Sequence, residues 1–202
     1  MLVSATNTQV AEEDKLRADL YDYLSVALSN PPTKELIKKT TELKGDESDL
    51  GAGFKSLSRV ASSQNEKSVT SEFNALFIGV GRGELLPYAS FYLTGFLNEK
   101  PLALLRNDMA ALQIERSANV YEPEDNIASL LEMMAGMITG RFGEPASLSQ
   151  QRDFFNRHIG PWAGHFFSDL EGAKNSVFYA PIGAIGRAFI EIEQEAFRMM
   201  AT

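Results

Sequence analysis

Apolar residues recur every three or four positions along most of the chain, which predicts helices almost throughout. The first begins near Glu12, where Leu16, Leu20, Leu24 and Leu28 fall at four-residue steps and Tyr23 and Ala27 widen the stripe. Glu12, Glu13 and Asp14 load its first turn with negative charge, which suits the positive end of the helix dipole. Pro31-Pro32 ends it, because proline lacks an N–H and its ring clashes with the preceding turn. Thr33 caps a short second helix through about Leu43, and residues 44–53 read as a turn or loop. Helices near 50–62, carrying Phe54, Leu57 and Val60, and near 66–77, carrying Val69, Phe73 and Leu76, follow. Gly79, Gly81 and Gly83 then open a loop that closes on Leu85, Leu86 and Pro87.

Tyr88 to about Asn98 reads as a short, aromatic-rich helix. Pro101 is placed to be the first helical residue of a long helix to about Asn119. The segment YEPEDN, 121–126, interrupts the pattern, since Glu122 before a proline is biased away from helix, and Pro123 can start the next one. Ile127, Leu131, Met134 and Ile138 form a core stripe that stops at Gly140, Gly143 and Pro145. Ser147 with Gln150 predicts a capping box for a helix running through Phe154 and Phe155 to about His158. Gly160-Pro161 divides it from a short helix with Trp162, Phe166 and Phe167. After a turn at 171–175, a last helix over about 176–200 places Ile182, Ile185, Phe189 and Ile192 on one face. No run alternates with the two-residue period of a strand, so the expected class is all-α, with about nine to ten helices.

Composition narrows the partners. The chain has 202 residues, 44 % of them hydrophobic, enough apolar surface for one folded domain. With 27 acidic residues against 19 basic ones, the net charge of -8 argues against nucleic acid and anionic lipid and weakly favours a basic partner. Cysteine is absent, which rules out disulfides and thiolate metal sites. The opening MLVSATNTQVAEED has no basic stretch followed by an apolar one, and no apolar run reaches membrane-spanning length. A cytoplasmic protein with no direct membrane insertion is expected, with residues 1–10 as a flexible N-terminus.

Little in the chain points to catalysis. The two histidines, His158 and His165, are separated by Gly160-Pro161 and lack neighbouring ligands in sequence. The glycines at 79, 81 and 83 lack the lysine of a phosphate-binding loop. No cofactor or metal is expected. Glu122, Glu124 and Asp125 crowd one break, and like charges so close must be solvated or paired. They suit a solvated turn with a helix cap, an acid/base pair, or an acidic recognition surface.

Three segments together resemble one family. EFNALFIGVGRGELLPYASFYL, residues 72–93, is similar to an aromatic helix, a glycine-bearing loop and a proline-tyrosine turn leading into Ser-x-Tyr. YEPEDNIASLLEMM, residues 121–134, resembles a Glu-Pro-x-Asp-His helix start. FFNRHIGPWAGHFFSDL, residues 154–170, resembles a helix ending in His-x-x-Pro-Trp before a Phe-Phe pair. In that order they resemble the TorD/DmsD/NarJ family of chaperones dedicated to bacterial molybdoenzymes.

The resemblance implies a compact TorD-like helical bundle: one domain over 11–202, its N-terminal part (11–97) and C-terminal part (126–202) joined by 98–125. It implies a non-enzymatic chaperone that binds the twin-arginine signal peptide, or the N-terminus, of a molybdoenzyme catalytic subunit and holds it until the cofactor is inserted. Homodimers with exchanged helices occur in the family, and the Gly/Pro joints here would permit one. The alternatives are a helical scaffold or regulatory subunit without chaperone action and, more remotely, a small-molecule or nucleotide hydrolase. A binder of arginines beside an apolar stretch needs carboxylates and an apolar groove. Glu122, Glu124, Asp125 and Asn126 are candidates for the first, and Leu86, Pro87, Tyr88 and Tyr92 for the second, completed by Trp162 and Phe166. Core packing is the competing reading for Phe91, Tyr92 and Trp162. Asn126 stands where the family pattern has histidine, so a charge switch there is lost, and Asn126 equally suits a helix start.

Overall fold

A computed structural model describes residues 10–118 and 120–200. All but Val10 of the expected flexible N-terminus therefore lies outside the described residues, and Val10 packs against the core.

Among the described residues ten α-helices follow in chain order: α1 (Glu12–Ser29), α2 (Lys34–Thr41), α3 (Asp49–Ser63), α4 (Glu66–Phe73), α5 (Ala89–Thr94), α6 (Lys100–Ala111), α7 (Ile127–Thr139), α8 (Leu148–Phe154), α9 (Ala163–Gly172) and α10 (Tyr179–Met199). Wider π turns extend α4 through Asn74–Ile78 and α8 through Phe155–Ile159. The side-chain caps fall where short polar residues precede apolar periodicity: Thr33 accepts from Leu36 N, Ser48 from Gly51 N, and Ser147 and Gln150 form the expected capping box.

Helix α7 is central. Residues Ile127, Ala128, Leu130, Leu131 and Met133–Ile138 are all buried, so it is apolar around most of its circumference, as a largely covered helix must be, with Glu132 left at the surface. α1 packs along it, α10 packs on α9 and α3, and one continuous core joins helices from both ends of the chain.

Four expectations change. Leu16 is 68 % exposed, while Leu24, Ala27 and Leu28 of the expected stripe are buried, joined by Ala18, Tyr21 and Ser25. The contact stripe adds small and aromatic residues to two of the four leucines, and a leucine count overlooks those additions. Ile192 is 50 % exposed, and its neighbour Glu193 is buried in its place.

The long helix expected to reach Asn119, itself outside the described residues, ends at Ala111. Gln113 takes φ 57°, Ile114 N–H donates to Met109 O at 2.9 Å, and Gln113 N–H donates to Ala110 O at 3.3 Å. This is the double-bonded helix stop normally built on glycine, with Ile114 buried against the last turn. With glutamine at the left-handed position the stop carries no sequence signal. Likewise α7 begins at Ile127 and not at Pro123, because Asn126 is its cap.

Candidate functional site

The break at 121–126 is held against the exit of the glycine loop. Ile127 N–H donates to Pro87 O at 2.8 Å and Ala89 N–H donates to Asp125 O at 2.9 Å, so Tyr88 and Asn126 form an isolated antiparallel bridge. This short ladder brings two of the family-like segments side by side: Leu86 to Ser90 lies along Glu122 to Asn126.

The three carboxylates of the break have three different environments. Glu122 is exposed and accepts a hydrogen bond from the Tyr88 hydroxyl. Burial first, then the Glu122 bond and charge, push the Tyr88 phenol well above its ordinary range, so it stays a neutral donor. Glu124 is only 8 % exposed. Its Oε2 accepts from Arg106 Nε at 3.0 Å and Nη2 at 2.8 Å, while Arg116 Nη1 stands 3.7 Å from Oε1. Burial raises the Glu124 carboxyl, but the Arg106 hydrogen bonds, its own backbone N–H and the two guanidinium charges outweigh that and hold it below its usual value.

Asp125 is 1 % exposed and faces inward. Its Oδ2 accepts from Ser90 N at 2.8 Å and from the Ser90 hydroxyl, which fixes the start of α5, a helix with no cap at Tyr88. Asn126 Oδ1 accepts from Ala128 N at 2.9 Å and caps α7. The residue standing at the family's histidine position is thus a helix cap with no titrating group.

Among the candidate groove residues, Pro87 is buried, and Leu86, Tyr88 and Tyr92 are half-buried. The Tyr92 hydroxyl donates to Asp169 at 2.9 Å, and its ring lies 5.2 Å from Trp162 and 6.0 Å from Phe166. Trp162 is 1 % exposed with its indole N–H donating to His158 O at 2.8 Å, and Phe166 is fully buried. These two rings support Tyr92 from beneath and offer no surface of their own in this state.

Sequence reasoning passed over Arg106, Arg116, Glu132 and Ser90. A cleft of about 130 Å³ lies beside Glu124, lined by Met109, Ile114, Val120, Met133 and Phe142, with Glu115, Glu122 and Glu132 contributing further carboxylates. A helical-period count of Glu132, five residues beyond Ile127, places it on the exposed side of α7, but nothing in the pattern places α6 and its linker across from it. Of the histidines, His158 is buried against Asp108 and His165 is exposed.

Fold and surface together define an all-helical protein presenting carboxylates beside aromatic and apolar side chains along one edge. Residues 44–168 match the family described as the nitrate reductase delta subunit. The chain is 26 % identical over 200 residues to the chaperone protein TorD of Aliivibrio salmonicida, covering 88 % of this chain and 92 % of that one. It is 28 % identical over 195 residues to TorD of Vibrio cholerae, covering 87 % and 89 %. It is 29 % identical over 122 residues to the probable Tat proofreading chaperone DmsD of Haemophilus influenzae, covering 59 % and 57 %. A crystal structure of a putative redox enzyme maturation protein from Archaeoglobus fulgidus shares the fold, with a TM-score of 0.55, 18 % identity, and coverage of 94 % of this chain and 99 % of that one. The chain belongs to the nitrate reductase delta subunit family. It is a maturation chaperone of the molybdoenzyme type and not an enzyme, as the resemblance implied.

Proposed function

We propose that this chaperone works in the cytoplasm, binding the twin-arginine signal region of a molybdenum-cofactor-containing oxidoreductase subunit and holding it for cofactor insertion. The observation that carries this reading is the ladder between Tyr88 and Asn126. It sets the exposed Glu122 carboxylate, already bonded by Tyr88, next to half-buried Leu86 and Tyr88. A basic, partly apolar segment is the complement of such an edge. The name of the Haemophilus influenzae relative, a Tat proofreading chaperone, supports the same partner. No helix among the described residues is long and apolar enough to cross a membrane.

The recognition roles divide by burial. Glu122 meets the client, Glu124 is reached from the cleft, and Asp125 and Asn126 hold the two helix starts that shape the edge. Leu86, Tyr88 and Tyr92 supply the apolar side, on a base of Pro87, Trp162 and Phe166. Two copies pairing as a homodimer is compatible with this arrangement, and sedimentation of the free chain decides it.

The test is binding of a synthetic peptide with two adjacent arginines and an apolar stretch, followed by fluorescence anisotropy. Glu122→Lys should weaken it on the order of ten-fold, through one surface carboxylate lost and one positive charge put in its place. Glu122→Gln should weaken it less. Unchanged binding by a folded Glu122→Lys protein would remove the acidic edge from the proposal. Asp125 is unsuited to this experiment, since a charge reversal there disrupts the core.

A further inference from the structure

The cleft beside Glu124 has an apolar floor of Met109, Ile114 and Met133 under a rim of carboxylates, Glu122 and Glu132 among them. The two oxygens of Glu124 are used unequally. Oε2 is taken by the paired Arg106 hydrogen bonds. Among the ion pairs of the described residues, Oε1 has the Arg116 guanidinium at 3.7 Å, beyond hydrogen-bond length. Arg116 rides on the stretch 115–118, whose residues are all exposed, hung from the buried Ile114 that closes α6. The chain's own guanidinium therefore already stands over this carboxylate, loosely held.

We infer that the cleft is a subsite for an arginine side chain of the client, and that Arg116 is a placeholder which the client's guanidinium displaces. The exchange is favourable because the incoming group can form a charge-assisted hydrogen bond to Oε1 that Arg116 does not make. Its methylenes lie on the methionine and isoleucine floor, as arginine stems do on apolar surface. Arg106 stays bound to Oε2 and keeps the carboxylate charged and oriented before the client arrives. In the free protein Arg116 shields a buried carboxylate that would otherwise attract any cation, so the exchange also selects for a guanidinium over simple salt. This inference rests on the signal-region reading above.

Calorimetric titration with two peptides tests it: one with two adjacent arginines before an apolar stretch, the other with both arginines replaced by glutamine. Arg116→Gln, an exposed change, should bind the arginine peptide about two- to five-fold more tightly than the unaltered protein, the weight of one exposed ion pair. The gain should be absent with the glutamine peptide and absent in Arg116→Gln/Glu124→Gln, with thermal melts confirming both variants folded. Equal or weaker binding of the arginine peptide by Arg116→Gln overturns the placeholder, as does an equal gain with the glutamine peptide. If the unaltered protein binds the arginine peptide and Arg116→Gln does not improve on it, the signal-region reading stands and only the exchange falls. If the unaltered protein binds neither peptide, both fall.

Discussion

At the scale of single residues, chemistry follows burial and not residue type. Glu122 and Asp125 are both carboxylates of one short break, yet one is exposed and bonded by Tyr88 and the other is buried and organises the start of α5. Their crowding was legible in the sequence; the direction each faces was not, because the Tyr88–Asn126 ladder sets it through backbone bonds far apart in the chain. His158 gives the clearest pH dependence. Its Nε2 lies 2.6 Å from Asp108 Oδ2, and a carboxylate only accepts, so that nitrogen carries the proton. Burial lowers the imidazole below its usual 6.5, outweighing the pull of Asp108, so the ring is neutral at pH 7. The unfolded chain then binds the extra proton first, and stability present above about pH 6.5 is lost as pH falls toward the folded value. Asp108 is itself held below 3.8, since the His158 and Arg157 bonds overcome its burial, and its share is lost only below that. Urea denaturation between pH 7 and 5 should show declining stability in the unaltered protein and a flatter profile in His158→Gln.

At the scale of elements, the helices were largely readable and their ends less so. Capping boxes, prolines and glycines announce most boundaries, but α6 stops on a glutamine in a left-handed turn. The packing of α10 on α9 also escapes an apolar count, because it depends on small residues. A Cβ on Gly183 would lie 2.5 Å from Glu171 N and 2.7 Å from Phe167 O, backbone atoms of a neighbouring helix that cannot step aside. Alanine ordinarily favours a helix over glycine by about 1 kcal/mol. Here the overpacking should reverse that sign, and Gly183→Ala should destabilise by about 1–3 kcal/mol in chemical denaturation. The start of α10 has no side-chain cap of its own; Glu72 from α4 accepts from Val177 N at 2.7 Å and Tyr179 N at 2.8 Å instead. A cap supplied from a hundred residues away has no local motif.

At the scale of the whole molecule, the first and last helices are joined by a partly buried ion pair. Arg17 donates from Nε at 2.9 Å and Nη2 at 2.8 Å to the two oxygens of Glu193, and Tyr21 donates to the same carboxylate at 2.9 Å. Burial followed by Glu193's charge and bond raises the Tyr21 phenol, keeping it a donor. Breaking such a group strands its partners. Glu193→Ala should cost about 2–4 kcal/mol, somewhat under the full buried-pair range because Arg17 keeps some contact with water. Thermal melts should show Glu193→Ala well below Ile192→Ala, a neighbouring change on the exposed side. The reverse order would mean that the last turns of α10 are held by apolar contact alone.

The sequence by itself determined the helical class, the order and approximate extent of the helices, and the family, because helical periodicity and short motifs are local in the chain. It also located the break at 121–126. Only the tertiary structure decided which carboxylate faces out, which arginines stand over Glu124 and where Glu193 finds its partners. Each of those rests on contacts between residues distant in sequence, whose burial sets their charge and their freedom to bind.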